Sequence, residues 1–373
     1  MSSIIINTRQ FNEVMQTASV MAGLHRGMMM LDNVLFQVSD GNLVVTSTDT
    51  EAYVSRSMGI ESGNDVNGIN VLVNPKDICQ LLPLITDEAV TIEFEDNAMT
   101  LKHSKGFVST ATMDGAEFPT SPFDGQGGIL SSVNPDILAD AMKKAVIFAS
   151  NDAVRPNMCS VVLHFDDEGF NVYASDGVCL FLQEICETMK YEPRDLLIPK
   201  KSVKAIVNML KTSDGYKGLM ANDKHVKFVF DDGEVVTCLT DAKYPNVKQV
   251  IPQLSTKEIH VSKAALMESI KRVSLSAGDR RMIRLDLQSG YGTFDVSSAD
   301  IDFGKKSEES VAAVINADAD FVIGLNADNL IKTMSSLQGD NLIIQMTESN
   351  KATLWSSSDD ENTKIIVMPT KIE

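Results

Sequence analysis

Residues 71–82 read VLVNPKDICQLL, which is a short apolar strand, a helix start at Asn-Pro and an amphipathic helix. The same order of features recurs as LLIPKKSVKAIV at 196–207 and as FVIGLNADNLI at 321–331. Pro75 and Pro199 are 124 residues apart, and Asn326 follows Pro199 by 127 residues. The sequence therefore predicts three copies of one structural unit.

Two further anchors share this period. TSTD at 46–49 recurs as ASDG at 174–177 and as SSAD at 297–300, and Phe118-Pro119 recurs 126 residues later as Tyr244-Pro245. The period exceeds the roughly 20–50 residues of solenoid repeats, so each copy is long enough to form a compact domain. We expect domains at 1–124, 125–252 and 253–373.

Each copy contains two halves of the same kind. A helix comes first, and alternating strands with Asp, Asn or Gly at the turns follow it, as in Val90–Lys102 and Val226–Thr237. The sequence thus predicts an α+β fold of three similar domains, each built from two helix-plus-antiparallel-strand halves. The six predicted helices cover residues 7–21, 75–84, 135–149, 199–211, 262–275 and 326–337.

The composition excludes several classes of protein. The 373 residues are 43% apolar and 23% charged, as in soluble globular proteins, and the net charge of -18 argues against a generally basic nucleic-acid binder. The five cysteines form no Cys-x-x-Cys pair and the five histidines have no zinc-ligand spacing, so we expect neither a disulfide framework nor a metal site. No stretch of 18 apolar residues and no signal peptide is evident, which favours a cytoplasmic protein without a membrane partner.

The positive charge is concentrated in the predicted helices. These six windows hold twelve basic and six acidic residues, so they carry +6 and the rest of the chain carries -24. Lysine is a good helix former and aspartate prefers turns, which could explain the split without any function. The alternative is a basic helical surface on an acidic shell, which attracts a phosphate backbone locally. The candidates for facing DNA are Lys143, Lys144, Lys200, Lys201, Lys204, Lys271 and Arg272.

Other polar and apolar clusters favour structural roles. The acidic groups at 95–96, 166–168, 231–232 and 359–361 fall between predicted strands, where turn residues are expected rather than catalytic carboxylates. The recurrent Asp49, Asp176 and Asp300 are expected to turn or cap the chain at one shared structural corner. We expect the residues 28–30, three methionines in a row, to fill the core beside the next strand.

Several motifs, in their order along the chain, resemble one family. They are ASDG at 174–177, IPKK at 198–201, YPNV at 244–247 with VIP at 250–252, and IVMP at 366–369. With the threefold repeat, they make the chain similar to the bacterial DNA polymerase III beta subunit, the replicative sliding clamp, over all three domains. The resemblance implies a head-to-tail dimeric ring with helices lining the pore and sheets outside. It also implies a non-enzymatic processivity factor that encircles duplex DNA and tethers the replicative polymerase during DNA replication.

Elementary geometry agrees with a ring of two chains. A compact domain of ~125 residues is roughly 36 Å across. Three touching spheres of that size leave a hole of only about 6 Å, whereas six leave a hole of about 36 Å. A DNA duplex, on the order of 20 Å wide, fits only the second arrangement.

The resemblance assigns further residues to DNA and to the dimer. To the DNA contacts it adds His25, Arg26 and Arg155. It implies a dimer interface between the first domain of one chain and the third domain of the other, at Phe107, Ser109, Ser274 and Leu275. Ser274 stands where the family often has an apolar residue, so we expect a weaker interface in this chain.

In this family, a pocket between the second and third domains binds short linear peptides of the DNA polymerase catalytic subunit, the clamp loader and repair proteins. Cys179 and Gln249 stand where many members have arginine, and Arg280 stands where an aromatic residue is common. We therefore expect the apolar anchor sites to be kept and the polar specificity to differ. The matching positions are Met158, Ser175, Gly177, Cys179, Leu180, Pro245, Gln249, Val250, Asn326, Met368 and Pro369.

Three readings of the function stay open on the residues alone. The first is a DNA-encircling clamp without a cofactor, whose partners are double-stranded DNA, a second copy of itself and peptide-carrying proteins. The second is a β-rich repeat enzyme with an inter-domain site, and an acidic scaffold without a DNA role is a third reading. The charge split and the lack of a recognisable nucleophile or metal constellation favour the clamp.

Overall fold

The structure is a computed structural model that describes residues 2–25, 27–64, 66, 68–123, 125, 129–131, 133–167, 169–185, 193–252, 255–288, 290–317 and 319–372. Within these residues the chain has six α-helices, at the places where six were predicted. They are α1 (Thr8–Ala18), α2 (Pro75–Leu81), α3 (Pro135–Ala145), α4 (Lys200–Thr212), α5 (Lys263–Val273) and α6 (Ala327–Ser336).

The helix starts follow the signals in the sequence. Asn7, Asn74, Ser262 and Asn326 each accept a backbone N–H of the first turn with the side chain, as N-caps do. Pro75 and Pro135 are the first residues of their helices, where proline costs no hydrogen bond. Pro199 was expected in the same place but precedes α4 as its N-cap, without a side-chain cap.

The helix ends differ more from the prediction. α1, α2 and α5 each continue into a single 3-10 turn, at 19–21, 82–84 and 274–276, which completes the predicted windows. α3 was predicted to reach residue 149 but ends at Ala145. The backbone there tightens, because the N–H of Ile147 and of Phe148 donate to carbonyls only three residues back.

The strands also follow the predicted hairpins. The strands of the first copy are β1 (Ser2–Asn7), β2 (Val34–Ser39), β3 (Asn42–Thr48), β4 (Ala52–Gly59), β5 (Ser62–Asn64), β6 (Ile69–Val73), β7 (Ala89–Glu95), β8 (Ala98–His103) and β9 (Gly106–Asp114). The strands of the second copy are β10 (Ile129–Ser131), β11 (Ser160–Asp166), β12 (Gly169–Ser175), β13 (Cys179–Ile185), β14 (Arg194–Pro199), β15 (Gly218–Ala221), β16 (His225–Val229) and β17 (Gly233–Cys238). The strands of the third copy are β18 (Lys257–Ser262), β19 (Met282–Leu287), β20 (Thr293–Asp300), β21 (Lys305–Ala317), β22 (Phe321–Asn326), β23 (Asn341–Met346), β24 (Thr353–Ser357) and β25 (Asp360–Val367).

The order of elements is the same in all three copies. Each runs strand, helix, four strands, helix, three strands, and the first copy adds the short β5. The chain is thus an α+β protein of three similar domains, each with two helix-plus-antiparallel-strand halves. The helices pack on the sheets through one apolar face, as the spacing of their buried residues requires.

The strands form two large sheets, one in each of two compact units. The first unit comprises residues 1–143 and 198–241, and its sheet has the order β10-β15-β16-β17-β4-β3-β2-β6-β9-β8-β7-β1-β5. In this unit α1 packs against β3 and β4 and also contacts α2 and α4. Phe11 and Phe36 meet edge to face at 6.1 Å in its core.

The second unit comprises residues 144–197 and 242–373. Its sheet has the order β14-β11-β12-β13-β25-β24-β23-β18-β21-β20-β19-β22. α5 packs on β20 and β21 beside α6. Phe165 stacks on Phe170 at 4.6 Å, and the fully buried Trp355 donates to the hydroxyl of Thr353.

One strand pairing in each unit joins two successive copies of the repeat. In the first unit β17 pairs antiparallel with β4, so that Val235 lies opposite Val54; we call this pairing the first joint. In the second unit β25 pairs antiparallel with β13, so that Ile365 lies opposite Phe181; we call it the second joint. The compact units therefore divide the second copy between them, because its two halves each extend the sheet of a neighbouring copy.

Two sequence-based predictions, one about the acidic groups and one about the three methionines, have different outcomes. The acidic groups were predicted to lie between strands, and Asp96, Asp167, Asp231 and Asp359 do lie in turns or bends. The prediction is wrong for four members that lie at strand ends, Glu95 of β7, Asp166 of β11, and Asp360 and Glu361 of β25, and Glu168 lies outside the described residues. The methionine prediction is wrong for Met28 and Met29, which are 50% and 79% exposed. The 3-10 turn at 29–32 buries Leu31 in the core beside Phe118, and Met30 packs partly buried against the same cluster, as predicted.

The described part of the chain contains no helix that has both the length and the apolar character needed to cross a bilayer. Cys79, Cys159, Cys179 and Cys238 are free thiols there, and Cys186 lies outside the described residues. No cluster of three or more His, Cys, Asp or Glu side chains with metal-binding geometry occurs among the described residues.

Candidate functional site

The candidate DNA-facing residues differ in how available their charges are. Lys143, Lys204 and Lys271 are exposed on α3, α4 and α5. Lys200 opens α4 and is half-buried, and the ammonium nitrogen of Lys144 is buried. Lys144 is therefore set apart from the exposed candidates, a distinction that helix periodicity alone did not reveal.

Two other candidates for binding DNA, Lys201 and Arg272, form salt bridges with carboxylates of the same chain. Lys201 donates to Asp49 at 2.6 Å and lies 2.5 Å from a carboxylate oxygen of Glu51. Arg272 makes a bidentate pair with Glu309, at 2.7 Å and 2.9 Å. These hydrogen bonds hold the pKa of Glu309 below its ordinary value. Part of the positive charge counted in the helices is thus neutralised locally.

The DNA contacts that rest on family resemblance lie in loops. Nδ1 of His25 is buried, and Arg26 lies outside the described residues. Arg155 is half-exposed and pairs with Asp152 at 3.0 Å, and its guanidinium lies 3.2 Å from the point where a Cβ on Gly177 would stand. Arg155 therefore lies beside a residue expected in the peptide pocket.

The three recurrent aspartates form the same corner in each copy, which confirms their predicted structural role. In each, Oδ1 accepts the backbone N–H three residues later: Ala52 for Asp49, Cys179 for Asp176 and Phe303 for Asp300. Such short side-chain-to-backbone bonds fix a turn without a helix or sheet ladder.

Two of these corners also bind a lysine. Oδ2 of Asp49 accepts from Lys201 of α4 at 2.6 Å, and Oδ2 of Asp176 accepts from Lys332 of α6 at 2.9 Å. Burial disfavours the charged form of Asp176, but the backbone N–H of Cys179 and the lysine overcome this and hold its pKa below the ordinary value. The corner aspartates therefore tie one copy of the repeat to a helix of the next copy.

Sequence reasoning missed a buried arginine at the first joint. Arg56 of β4 is only 4% exposed, and its guanidinium donates to Asp232 at 2.8 Å. It also donates to the hydroxyl and carbonyl of Thr212 at the end of α4, and to Thr17 and the carbonyl of Glu13 in α1. One side chain thus connects two helices, a strand and a hairpin turn.

The predicted pocket residues fall into two groups. Met158 and Leu180 are buried in one apolar cluster with Tyr244 and Ile366, and Val250 and Met368 keep 43% and 37% of their surface exposed. The backbone of Met368 donates to the carbonyl of Val178, which fixes the C-terminal segment beside β13. These residues combine exposed apolar side chains with a buried apolar base.

The polar pocket residues are mostly committed to backbone contacts. Ser175 donates to the carbonyl of Cys179 and accepts from the N–H of Gly177. Asn326 caps α6 and donates to the carbonyl of Arg280. Burial raises the pKa of the Cys179 thiol to about 12, so this residue stays neutral where many family members carry a charged arginine.

A cavity of about 1010 Å³ is lined by residues 243–248 and by Ile251. Of the predicted pocket residues in this segment, Pro245 lines the cavity, whereas Gln249 and Val250 do not. At its polar end His164 bridges Asp195 at 2.6 Å and Asp166 at 3.1 Å. The hydrogen bond to Asp195 raises the pKa of His164 against the opposing effect of burial. The spacing of these three residues along the chain did not predict that they would cluster.

The matches to known protein families divide the chain in the same way as the three copies of the repeat. Three family descriptions match in succession: DNA polymerase III beta subunit, N-terminal domain at residues 2–122, central domain at 132–246 and C-terminal domain at 248–371. Three such domains in one chain, with basic residues exposed on their helices, define the class as a replicative DNA sliding clamp. The chain belongs to the DNA polymerase III beta subunit family. The predicted resemblance is confirmed, and the alternative of a repeat-built enzyme is not favoured.

Individual relatives are distant but match over the whole length. The beta sliding clamp of Vibrio cholerae is 22% identical over 368 residues, which cover 96% of each chain. The DNA polymerase III beta subunit of Thermotoga maritima superposes with a TM-score of 0.91 at 22% identity, and all of both chains is covered. A sliding clamp of Pseudomonas aeruginosa, solved bound to griselimycin, gives a TM-score of 0.90 at 19% identity with the same full coverage. At this identity the solved structures establish the fold.

Proposed function

We propose that this chain closes with a second copy, head to tail, into a ring that encircles duplex DNA in the cytoplasm. The ring slides on DNA and tethers the replicative polymerase, the clamp loader and repair proteins, and it carries out no chemical reaction itself. The observation that carries the proposal is the succession of three clamp domains whose helices expose lysines on an otherwise acidic chain.

The DNA contacts we propose are few and directed at phosphates. Lys204 and Lys271 are exposed, whereas Lys201 and Arg272 already bind carboxylates. Phosphate contacts carry no sequence information, which suits a protein that must move along any sequence. Removing one lysine that binds a phosphate should reduce the slope of the salt dependence of DNA binding by about 0.9.

Partner peptides would bind over Met158, Leu180, Val250 and Met368. An extended peptide with apolar anchors can bury its side chains against this surface. Cys179 and Gln249 carry no charge, and the half-exposed Arg155, whose guanidinium lies beside Gly177, is the cation that we propose for the rim of this surface. The polar specificity would then differ from that of relatives with two arginines there.

A topological test needs no clamp loader. The chain is mixed with linear duplex DNA, the ends are ligated, and the circles are passed through gel filtration in high salt. We expect protein to remain on closed circles and to leave them when one restriction cut is made. Equal retention on linear and circular DNA would refute encirclement.

The proposed contacts are tested separately at low salt. Lys204→Glu with Lys271→Glu should weaken binding to linear duplex and reduce its salt slope. The matched control is Lys224→Glu with Lys351→Glu, which reverses one exposed lysine in each unit, at hairpin turns rather than on helices. An equal reduction of binding in both double variants would mean that net charge, not the helix face, governs binding.

A further inference from the structure

Residues 243–251, which we call the wall segment, contribute to two features of the second unit at once. Pro245 and Val250 belong to the proposed peptide surface, and most of the segment lines the cavity described above. A 3-10 turn at 247–249, capped by the side chain of Asn246, stiffens its centre. A contact that holds one part of the wall segment therefore also fixes the position of the peptide surface.

Two hydrogen bonds attach the wall segment to β11 and to the turn before it. Nδ2 of Asn157 donates to the carbonyl of Lys243 at 3.0 Å, at the start of the segment. Nζ of Lys248 donates to Oδ2 of Asp166 at 3.2 Å, near its centre. The side chain of Asp166 is only 9% exposed, and its other oxygen accepts the N–H of Gly169, so this acceptor is itself fixed. The second attachment, which we call the lysine tether, depends on charge.

The oxygen that accepts from Lys248 is shared with a histidine. Nε2 of His164 lies 3.1 Å from the same Oδ2 of Asp166, and Nδ1 lies 2.6 Å from Oδ1 of Asp195 on β14. A histidine that donates to two carboxylates must carry a proton on both ring nitrogens. The hydrogen bond to Asp195 raises the pKa of His164 against the opposing effect of burial. The ring therefore exchanges its second proton near neutral pH.

The other groups around His164 keep their charge in this pH range. Burial raises the pKa of both Tyr173 and Tyr244, so these phenols stay neutral. Glu184 pairs with Lys364 of β25 at 2.7 Å. Among the described groups near the lysine tether, His164 is thus the one whose charge changes between pH 6 and pH 9. Besides Asp166 on its own strand, the titratable groups that line the cavity with His164 are Tyr173 of β12, Glu184 of β13, Asp195 of β14, and Lys243, Tyr244 and Lys248 of the wall segment.

We propose that His164 is a positioning residue for the peptide surface, because its protonation weakens the lysine tether and its deprotonation strengthens it. The inference rests on the peptide-binding role proposed above and adds a pH response to it. A protonated imidazole and the ammonium of Lys248 compete for one oxygen of Asp166 and repel each other. The neutral ring leaves that oxygen to the lysine. Partner peptides therefore bind more tightly at pH 9 than at pH 6.

The same cluster also reaches the apolar base of the peptide surface. The ring of His164 lies 5.8 Å from that of Tyr173, and Tyr173 lies 5.3 Å from Tyr244 of the wall segment. Tyr244 packs in one apolar cluster with Met158 and Leu180, two of the predicted pocket residues. The wall segment is thus packed against the base of the surface on one side and held by the lysine tether on the other.

Fold stability and peptide affinity should change in opposite directions with pH. Protonated His164 stabilises the connection between β11 and β14 through Asp166 and Asp195, and this contribution is lost as the pH rises. The lysine tether gains strength over the same range. If His164 served the fold alone, a loss of stability would loosen the peptide surface as well, and affinity would fall with stability.

The test is the binding of one peptide by the full chain at pH 6 and at pH 9. The probe is a rhodamine-labelled peptide with leucine and phenylalanine anchors, blocked ends and no titratable side chain, followed by fluorescence anisotropy. The native chain should bind it about threefold more tightly at pH 9, as expected for one partly exposed charge interaction. His164→Gln should give a ratio near one. His260→Gln is the matched control, since His260 belongs to the same unit but pairs with Glu258, and it should keep the native ratio.

Lysine variants test the tether itself. Lys248→Met should bind the peptide about threefold more weakly at pH 9 and lose the pH response, whereas Lys248→Arg keeps the charge and should keep both. Lys364→Met, which removes a salt bridge of the same sheet outside the wall segment, is the control and should leave the affinity unchanged. A pH response that persists in Lys248→Met, or a native chain that binds equally well at both pH values, would overturn the proposal. A native chain that does not bind the peptide at either pH would reject the proposed peptide surface itself.

Discussion

Replacing Arg56 by methionine removes the guanidinium at the first joint while it keeps most of the apolar length of the side chain. Five hydrogen bonds disappear, to one carboxylate, two backbone carbonyls and two threonine hydroxyls. The carboxylate of Asp232 is left without its cation, and its Oδ1 is buried without a hydrogen bond. The variant therefore leaves polar groups that neither solvent nor protein fully satisfies.

The expected cost follows from burial. Breaking a buried ion pair by removing one partner costs about 3–5 kcal/mol, because the other charge stays desolvated. Asp232 keeps 24% of its side chain exposed and can be partly rehydrated, so we expect the lower end, about 3 kcal/mol. Arg56→Lys keeps the charge but not the planar fork that reaches both helices, and should cost about 1–2 kcal/mol.

The assay is equilibrium unfolding in urea, followed by circular dichroism and by the fluorescence of a dye attached at β17. Arg9→Met is the control, since Arg9 is 89% exposed and, within the described part of the chain, has Glu13 one turn away as its one ion-pair partner. Its replacement should cost below about 0.5 kcal/mol. Adding Asp232→Asn to Arg56→Met should recover part of the stability, because the unpaired charge disappears. A change in Arg56→Met no larger than in Arg9→Met would refute the reasoning.

Two further predictions concern the second unit. Val250→Asp with Met368→Asp should weaken binding of a fluorescent partner peptide at least tenfold. It should leave unfolding unchanged, because both side chains are partly exposed. The control is the exposed Val314→Asp, and an equal loss of peptide binding in that variant would contradict a local pocket. The pKa of His164 is raised in the fold, mainly by Asp195, so its contribution to stability is present below about pH 6.5 and is lost as the pH rises through the raised value. The stability of His164→Gln relative to the native chain should therefore improve from pH 6 to pH 8.5, and a constant difference in urea unfolding would argue against it.

The sequence predicts most of the fold because the same unit is repeated and because its helix starts and turns are marked by local residue patterns. The N-caps Asn74 and Asn326 and the hairpin turns are local features, and the period near 125 residues aligns them across copies. The family and its class follow from the same motifs. The three corner aspartates were also recognised as structural, since Asp and Ser residues that bond to nearby backbone are typical of turns.

The tertiary polar contacts could not be predicted in this way. Arg56 stands in an alternating strand and looks like any exposed polar position, yet its partners lie 156 and 176 residues away. The same holds for His164, whose partner Asp195 belongs to a strand beyond a long connection. Periodicity assigns a residue to a face of an element, but it does not say which distant element covers that face.

The balance of charge on the helices bears on how a clamp can hold DNA and still move. Of the basic residues counted in the helices, Lys201, Lys332 and Arg272 bind carboxylates of the same chain. A ring in which every helical lysine bound phosphate would have a steep salt dependence and a high barrier to each step along the duplex. Because Asp49 and Asp176 take up part of that charge, we expect the same residues that connect successive copies to limit the number of DNA contacts in the proposed ring. Removing Asp49 would leave Lys201 with Glu51 as its remaining carboxylate and would weaken the first joint. In the ring proposed above we therefore expect somewhat tighter DNA binding and a less stable first unit together.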